Sequence, residues 1–378
     1  MKILILSPYP ILPPLHGSRV RTARLAEGLA RAGASVDLLC PWYPGQPRSG
    51  RLADAFTCHS HLLASNLLPW VAAWLAAPLA LLSFQPPPRK LLRTFANSDI
   101  FQFDFCAHAG WMKLVPEGAK IVYSAHNVER DFCQNDSARY LLARASLSRI
   151  ERLERLAVER SDLVVTCTEK DATRLREHYG AIGRTAVVPN GCPAALLDLD
   201  RGRLSASSRA ALGIRPDQRA ILFVGGNASH NRQAVEFLLS AVLPQLDRNA
   251  VLLVVGKCGR AGWNSADRRA RCFGFVADLR PFLAAANVAV NPVDRDSGSS
   301  VKLVEYLAAG LPVVSTPIGA RGLGDQLAGV QIAPREQFAE HLRGPLTALT
   351  ADRAALARLT WEHLGETLLR EYERLCAS

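Results

Sequence analysis

Four small residues, Ser297, Gly298, Ser299 and Ser300, run directly into Val301, Lys302 and, one helical turn later, Glu305. Glycine lets a backbone approach a ligand closely, and the first turn of a helix offers unpaired N–H groups to an anion. The hydroxyls of Ser299 and Ser300 and the Lys302 ammonium add donors at the same end. Glu305 carries the wrong charge for a phosphate. A carboxylate at that depth suits paired hydroxyls, such as those of a ribose. Diphosphate at the helix tip and sugar hydroxyls on a carboxylate together describe a nucleotide-sugar site.

Other segments offer chemistry of the same kind. Ser124-Ala-His126-Asn127-Val-Glu129-Arg130 follows an apolar run that reads as a buried strand. His126 is both donor and acceptor near neutral pH and suits a sugar hydroxyl. Its plainer reading is a loop histidine that caps the next helix, whose first turn Glu129 would also suit. His16-Gly17-Ser18-Arg19-Val-Arg21 joins the first strand to the first helix. Gly17 permits close approach there, and Arg21 is a candidate ligand contact, although a plain turn with exposed arginines has the same pattern. Gly225-Gly226-Asn227 and Gly256-Lys257 occupy equivalent strand-to-loop junctions further on.

Elements of one kind must position these groups. Apolar runs at 3–6, 36–40, 100–103, 121–123 and 163–167 read as buried parallel strands, with helices over 18–32 and 138–160 between them. A second alternating series begins at 221–224 and continues through 251–255, 272–276 and 288–290, with helices near 232–241 and 278–285. The pattern predicts an α/β chain of two facing doubly wound, Rossmann-like domains. Their bounds are 1–189 and 190–350, with a final amphipathic helix over 351–378. No G-x-G-x-x-G follows the first strand, which argues against a dinucleotide dehydrogenase.

Composition narrows the classes further. A chain of 378 residues with 49% hydrophobic and 21% charged residues can fill two cores. The net charge of +11 comes mainly from arginine, with only seven lysines. That excess fits solvated helix faces or an anionic membrane surface. No basic run with interleaved aromatics points to nucleic acid. Nine cysteines without C-x-x-C spacing read as buried thiols of a reducing compartment. The apolar stretch at Ile3–Leu6 is too short for a signal peptide. Leu62–Phe84, with Trp70 and Trp74, reads first as a buried or docking helix, second as an interfacial contact and last as a membrane span, since Pro69 and Pro78 interrupt its bilayer-spanning length. A cytoplasmic location, peripheral on the inner face of a membrane, is the resulting expectation.

Lys302, Glu305, Tyr306, Ala308, Gly310, Pro312, Val313, Val314 and Ser315 resemble the donor-binding segment of family 4 retaining glycosyltransferases of the GT-B fold. That helix reads K-x-x-E-A/Y-x-A-x-G, followed by P-V-V and Ser or Thr. The resemblance implies metal-independent, same-face transfer of a sugar from a nucleoside diphosphate to a hydroxyl of a glycan, lipid-linked glycan or glycolipid. No cofactor beyond the donor substrate is implied. It gives His126 a place beside the reacting sugar and implies catalytic roles for His126, Lys302 and Glu305. Gly17, Arg21, Asn127, Gly225, Asn227, Lys257, Ser297, Gly298, Ser299, Ser300 and Val301 become substrate contacts. The chain departs from the family in two places. Ser297 stands where many members carry an earlier Glu, and Gly226 and Asn231 stand where most carry a diphosphate-binding Arg and Lys. His230 and Arg232 are candidate substitutes. Two other classes stay open: a catalytically degenerate binding protein of this fold, and a nucleotide-sugar epimerase.

Overall fold

A computed structural model describes residues 1–14, 17–41, 49–52, 56–61, 78–136, 141–180, 182–259, 268–294, 300–323, 329–345 and 352–378. Most of the apolar segment 62–84 and the loop residues Ser297, Gly298 and Ser299 lie outside that set, as do Trp70 and Trp74. The chain divides into two compact units. One contains Met1–Pro14, Ser18–Pro189 and Trp361–Ser378, and the other contains Leu15–Gly17 and Asn190–Thr360.

The first unit is built on β1 (Lys2–Leu6), β2 (Ser35–Pro41), β3 (Ser49–Leu52), β4 (Phe56–His61), β5 (Ile100–Asp104), β6 (Lys120–Ser124), β7 (Leu163–Thr166) and β8 (Arg184–Val187). Their order across the sheet is β3-β4-β2-β1-β5-β6-β7-β8. All neighbours are parallel except the edge pair β3 and β4. Near-continuous apolar strands such as Ile3–Leu6 suit a sheet covered on both faces. The helices that matter for the site are α1 (Gly17–Arg31), α2 (Glu129–Asp136), α3 (Ala143–Arg160) and α4 (Glu169–Tyr179). The helix expected over 138–160 therefore begins at Ala143, and a separate short helix precedes it. Strand order reverses between β1 and β5, the topological switch point where doubly wound sheets bind ligands.

The second unit has β9 (Arg219–Val224), β10 (Ala250–Val255), β11 (Ala270–Gly274), β12 (Val288–Asn291), β13 (Val313–Ser315) and β14 (Val330–Ile332). Their order is β11-β10-β9-β12-β13-β14, all parallel, with the reversal between β9 and β12. Its site helices are α5 (Ser229–Phe237) and α6 (Val301–Ala308), and α7 (Arg353–Ala357) follows near its end. Gly310, at φ +68°, ends the α6 segment in a left-handed turn that glycine adopts without strain.

The final helix is two pieces rather than one. After α7 the chain bridges at Thr360 to Cys192, and α8 (Trp361–Cys376) then belongs to the first unit. Trp361, Leu364, Leu368, Tyr372 and Leu375 face inward at helical spacing. α8 meets α1 at a pair of glycines. An added Cβ on Gly365 would lie 2.3 Å from the Gly28 carbonyl carbon, and one on Gly28 would lie 2.5 Å from Trp361 O. Only glycine at both positions permits backbones this close. Among the described residues no helix is long and apolar enough to cross a membrane.

Candidate active site

In the first unit the polar groups collect where β5 and β6 end. Asp104 is the last residue of β5 and is fully buried. Its Oδ2 accepts from the Thr22 hydroxyl of α1, and its Oδ1 accepts from Gln102 Nε2 at 2.6 Å. His126, just beyond β6, brings Nε2 to 3.2 Å from Asp104 Oδ2, an ion-pair distance off the line of a good hydrogen bond. Its Nδ1 has no hydrogen-bond partner among the described residues. A buried ring with one nitrogen beside a carboxylate and the other unmet is arranged to receive a ligand hydroxyl.

Burial lowers the His126 pKa; Asp104 opposes that shift and the Arg21 charge adds to it. Burial pushes the Asp104 carboxyl up, but His126 and the Thr22 and Gln102 hydrogen bonds outweigh it and hold the group below the carboxylate range. The pair is therefore a neutral imidazole against an ionised carboxylate near pH 7. The ring also stacks on Phe105, with centroids 4.2 Å apart. Phe105 sits at φ +64°, a strained conformation for a bulky residue, and Tyr9 meets its edge. Cys167 Sγ donates to His126 O at 3.4 Å, tying the loop from β7.

Asn127 is half-buried, and its amide donates to Glu129 Oε1 at 3.2 Å. Arg21 differs from its expected role as an open ligand contact. It is 2% exposed, and its guanidinium donates to Val188 O at 2.7 Å and Pro189 O at 2.9 Å. Those bonds make it a tie between α1 and the end of the first unit.

In the second unit Lys302 sits at the β9/β12 reversal. Its Nζ donates to Asn231 Oδ1 at 2.8 Å, lies 3.5 Å from Asn291 Oδ1, and stands 4.5 Å from the centre of the Phe223 ring. Burial pushes its ammonium down to about 8, against the pull of Cys258 and Glu305. Asn231, at the position where the resembling family carries a cation, thus receives the one from Lys302. Asn291 is itself held by donating to Gly319 O at 2.9 Å. Glu305 is half-buried on α6, and the next residue, Tyr306, takes the Val224 amide on its hydroxyl at 2.8 Å. That bond fixes α6 against the end of β9.

Ser300 is the N-cap of α6 without a side-chain capping bond, so the first amides of the helix have no help from that hydroxyl. Gly17 is grouped by its contacts with this unit, and a Cβ on it would lie 4.0 Å from Val301 Cγ2. Gly225 is hemmed in: a Cβ there would lie 3.0 Å from Asn231 Cγ and 3.1 Å from Cys258 Sγ. Gly256, at φ +101°, passes so close that a Cβ would stand 2.2 Å from Gly225 O. Lys257 is exposed. Asn227 is exposed too, and its Oδ1 is engaged by Arg232 at 2.9 Å.

Asp104, Gln102, Thr22 and Asn291 escaped the sequence reading. Asp104 carried one usable signal, a lone carboxylate closing an apolar strand at a switch point. The other three had none.

Comparison with known proteins agrees with this architecture. The model for Glycosyltransferase Family 4 matches residues 15–196, and that for Glycosyl transferases group 1 matches 218–347. Between them they span most of the chain, which belongs to the family 4 glycosyltransferases of GT-B fold. D-inositol 3-phosphate glycosyltransferase of Geodermatophilus obscurus is 31% identical over 252 residues, 58% of this chain and 54% of that protein. The chain thus spans about half the length of that relative. Sucrose-phosphate synthase from Thermosynechococcus elongatus superposes with TM-score 0.74 at 18% identity, covering 100% of this chain and 99% of the other. Anabaena Alr3699/HepE, solved with UDP-glucose, gives TM-score 0.68 at 17% identity over 99% of this chain and 100% of that one. At such identities the likeness to the solved structures is one of fold.

Proposed function

We propose that this chain transfers a sugar from a nucleoside-diphosphate sugar to a hydroxyl of a glycan, lipid-linked glycan or glycolipid, with retention and without a metal. The observation that carries the reading is Lys302, held between Asn231 and Asn291 at the switch point of the second unit with Glu305 one turn behind it. Departure of a nucleoside diphosphate needs charge stabilisation at its oxygens more than a strong base. Lys302 and the first amides of α6 supply it, and Glu305 holds the ribose. His126 contacts the reacting sugar through Nδ1. A uridine nucleotide is the first donor to try, because a protein of the same fold is solved with UDP-glucose.

The test is a panel of nucleotide sugars screened by thermal shift and then by product detection, since a bound ligand raises apparent stability by mass action. A stabilising nucleotide, followed by acceptor-dependent release of the nucleoside diphosphate, is expected. Binding without turnover would instead favour the degenerate binding protein, a reading that the neutral Asn231 in place of a cation supports. Conversion of the nucleotide sugar to an isomer without added acceptor, with no net release of nucleoside diphosphate, would favour the epimerase.

We further propose contact with an anionic membrane surface. Phe84 is 67% exposed with the Arg149 guanidinium 3.6 Å from its ring, and Leu141 is 81% exposed. Sedimentation with anionic, but not neutral, vesicles tests it, and failure to sediment with either would contradict it.

A further inference from the structure

We propose, resting on the transferase reading above, that Tyr372 and Gln102 are positioning residues for Asp104 and, through it, for the His126 ring. Gln102 lies two residues before Asp104 on β5, so the two side chains share one face of a central strand. Both are buried. A primary amide is nearly symmetric in shape, and only its partners decide which end faces which neighbour. Here one end meets Asp104 Oδ1 at 2.6 Å and the other meets the Tyr372 hydroxyl at 2.6 Å.

An ionised Asp104 only accepts, so the NH2 group must face it and the amide oxygen must face Tyr372. The phenol then donates, and burial, which pushes its pKa well above the ordinary value, keeps that proton in place. With Oδ1 committed to Gln102, Oδ2 remains for Thr22 and His126. A wrong amide orientation would set oxygen against carboxylate and turn Asp104 away from the ring.

Packing alone would be met by phenylalanine at this position of α8. The hydroxyl adds a hydrogen bond that spans 270 residues of sequence. The glycine contact holds α8, which carries Gly365 and Tyr372, against α1, which carries Gly28 and Thr22. The chain Tyr372–Gln102–Asp104–His126 therefore runs from the last helix to the candidate catalytic ring entirely within the first unit.

Tyr372→Phe, Gln102→Met and the double variant test this. Tyr372→Phe is expected to lower kcat about five- to tenfold, the size of one neutral hydrogen bond, and Gln102→Met, which removes a bond to an ionised carboxylate, by at least as much, with the donor KM held within about twofold. The double variant should be no slower than Gln102→Met alone, because both remove the same constraint. A Tyr372→Phe enzyme with wild-type kcat, or losses that multiply in the double variant, would overturn the proposal. A second readout needs no turnover. The His126 ring resonance, assigned by its disappearance in His126→Gln, should shift in Tyr372→Phe. An unchanged resonance would sink the relay even in an active enzyme. A shifted resonance in a protein inactive on every donor would leave the relay standing and the transferase reading overturned.

Discussion

Replacing Lys302 with methionine removes the charge while keeping much of the stem. The ammonium donates to Asn231 at 2.8 Å, lies 3.5 Å from Asn291 Oδ1 and faces Phe223, so the change takes a donor from two buried amides, chiefly Asn231. That costs about 1–3 kcal/mol, offset by no longer desolvating an ammonium. The melting temperature should therefore move by no more than about 4 °C. Nucleotide affinity should respond far more. A charge-assisted hydrogen bond to phosphate contributes about 1.5–3 kcal/mol, or roughly 10–150-fold in Kd.

The pH dependence supplies a second signature. With Lys302 at about 8 in the free protein, the charged form dominates at pH 7 and is the minority at pH 9. A diphosphate prefers the charged form, so wild-type affinity should be level below pH 8 and fall as pH rises through it. The methionine variant should show no such fall. Isothermal titration with UDP at pH 7 and 9 measures both effects. A variant Kd within about twofold of wild type at pH 7, or a wild-type Kd unchanged at pH 9, would refute the role given to Lys302.

Three further outcomes are expected. Glu129 is pushed up to about 8 by burial and by Glu154, and Glu154 up to about 7 by burial against four hydrogen bonds. Both hold protons that the unfolded chain has released, so stability should fall as pH rises from about 5 to 8. Glu129→Gln should flatten that fall in melting temperature, and parallel curves for variant and wild type would contradict it. Gly365→Ala sets a methyl against the Gly28 backbone and should cost about 2–3 kcal/mol in urea unfolding; wild-type stability would show that the helices separate freely. Turnover should survive EDTA, and a loss restored by magnesium would overturn metal independence.

The sequence disclosed strands and site helices because apolar runs and the Lys302–Ser315 block carry local signals. The fully buried β10, Ala-Val-Leu-Leu-Val-Val, is an example. It did not disclose what depends on distant partners. β3 and β4 form an edge pair from mixed segments without a clear period. Helical spacing continued through Thr360, yet the chain breaks there to bridge Cys192, a tertiary contact that overrides propensity. Arg21 resembled a ligand contact because its bonds go to Val188 and Pro189, far along the chain. Tyr372 read as one more inward aromatic, since its hydroxyl's partner lies on β5. His126 and Lys302 were visible in type and place, and the groups that hold them were not.

The most direct measurement compares wild type with Glu305→Ala for acceptor-dependent release of nucleoside diphosphate across a panel of nucleotide sugars. Transfer from at least one donor, reduced at least about 100-fold in the variant, is the predicted result. Full activity in Glu305→Ala, or no binding and no release with any donor in wild type, would contradict a nucleotide-sugar site on α6.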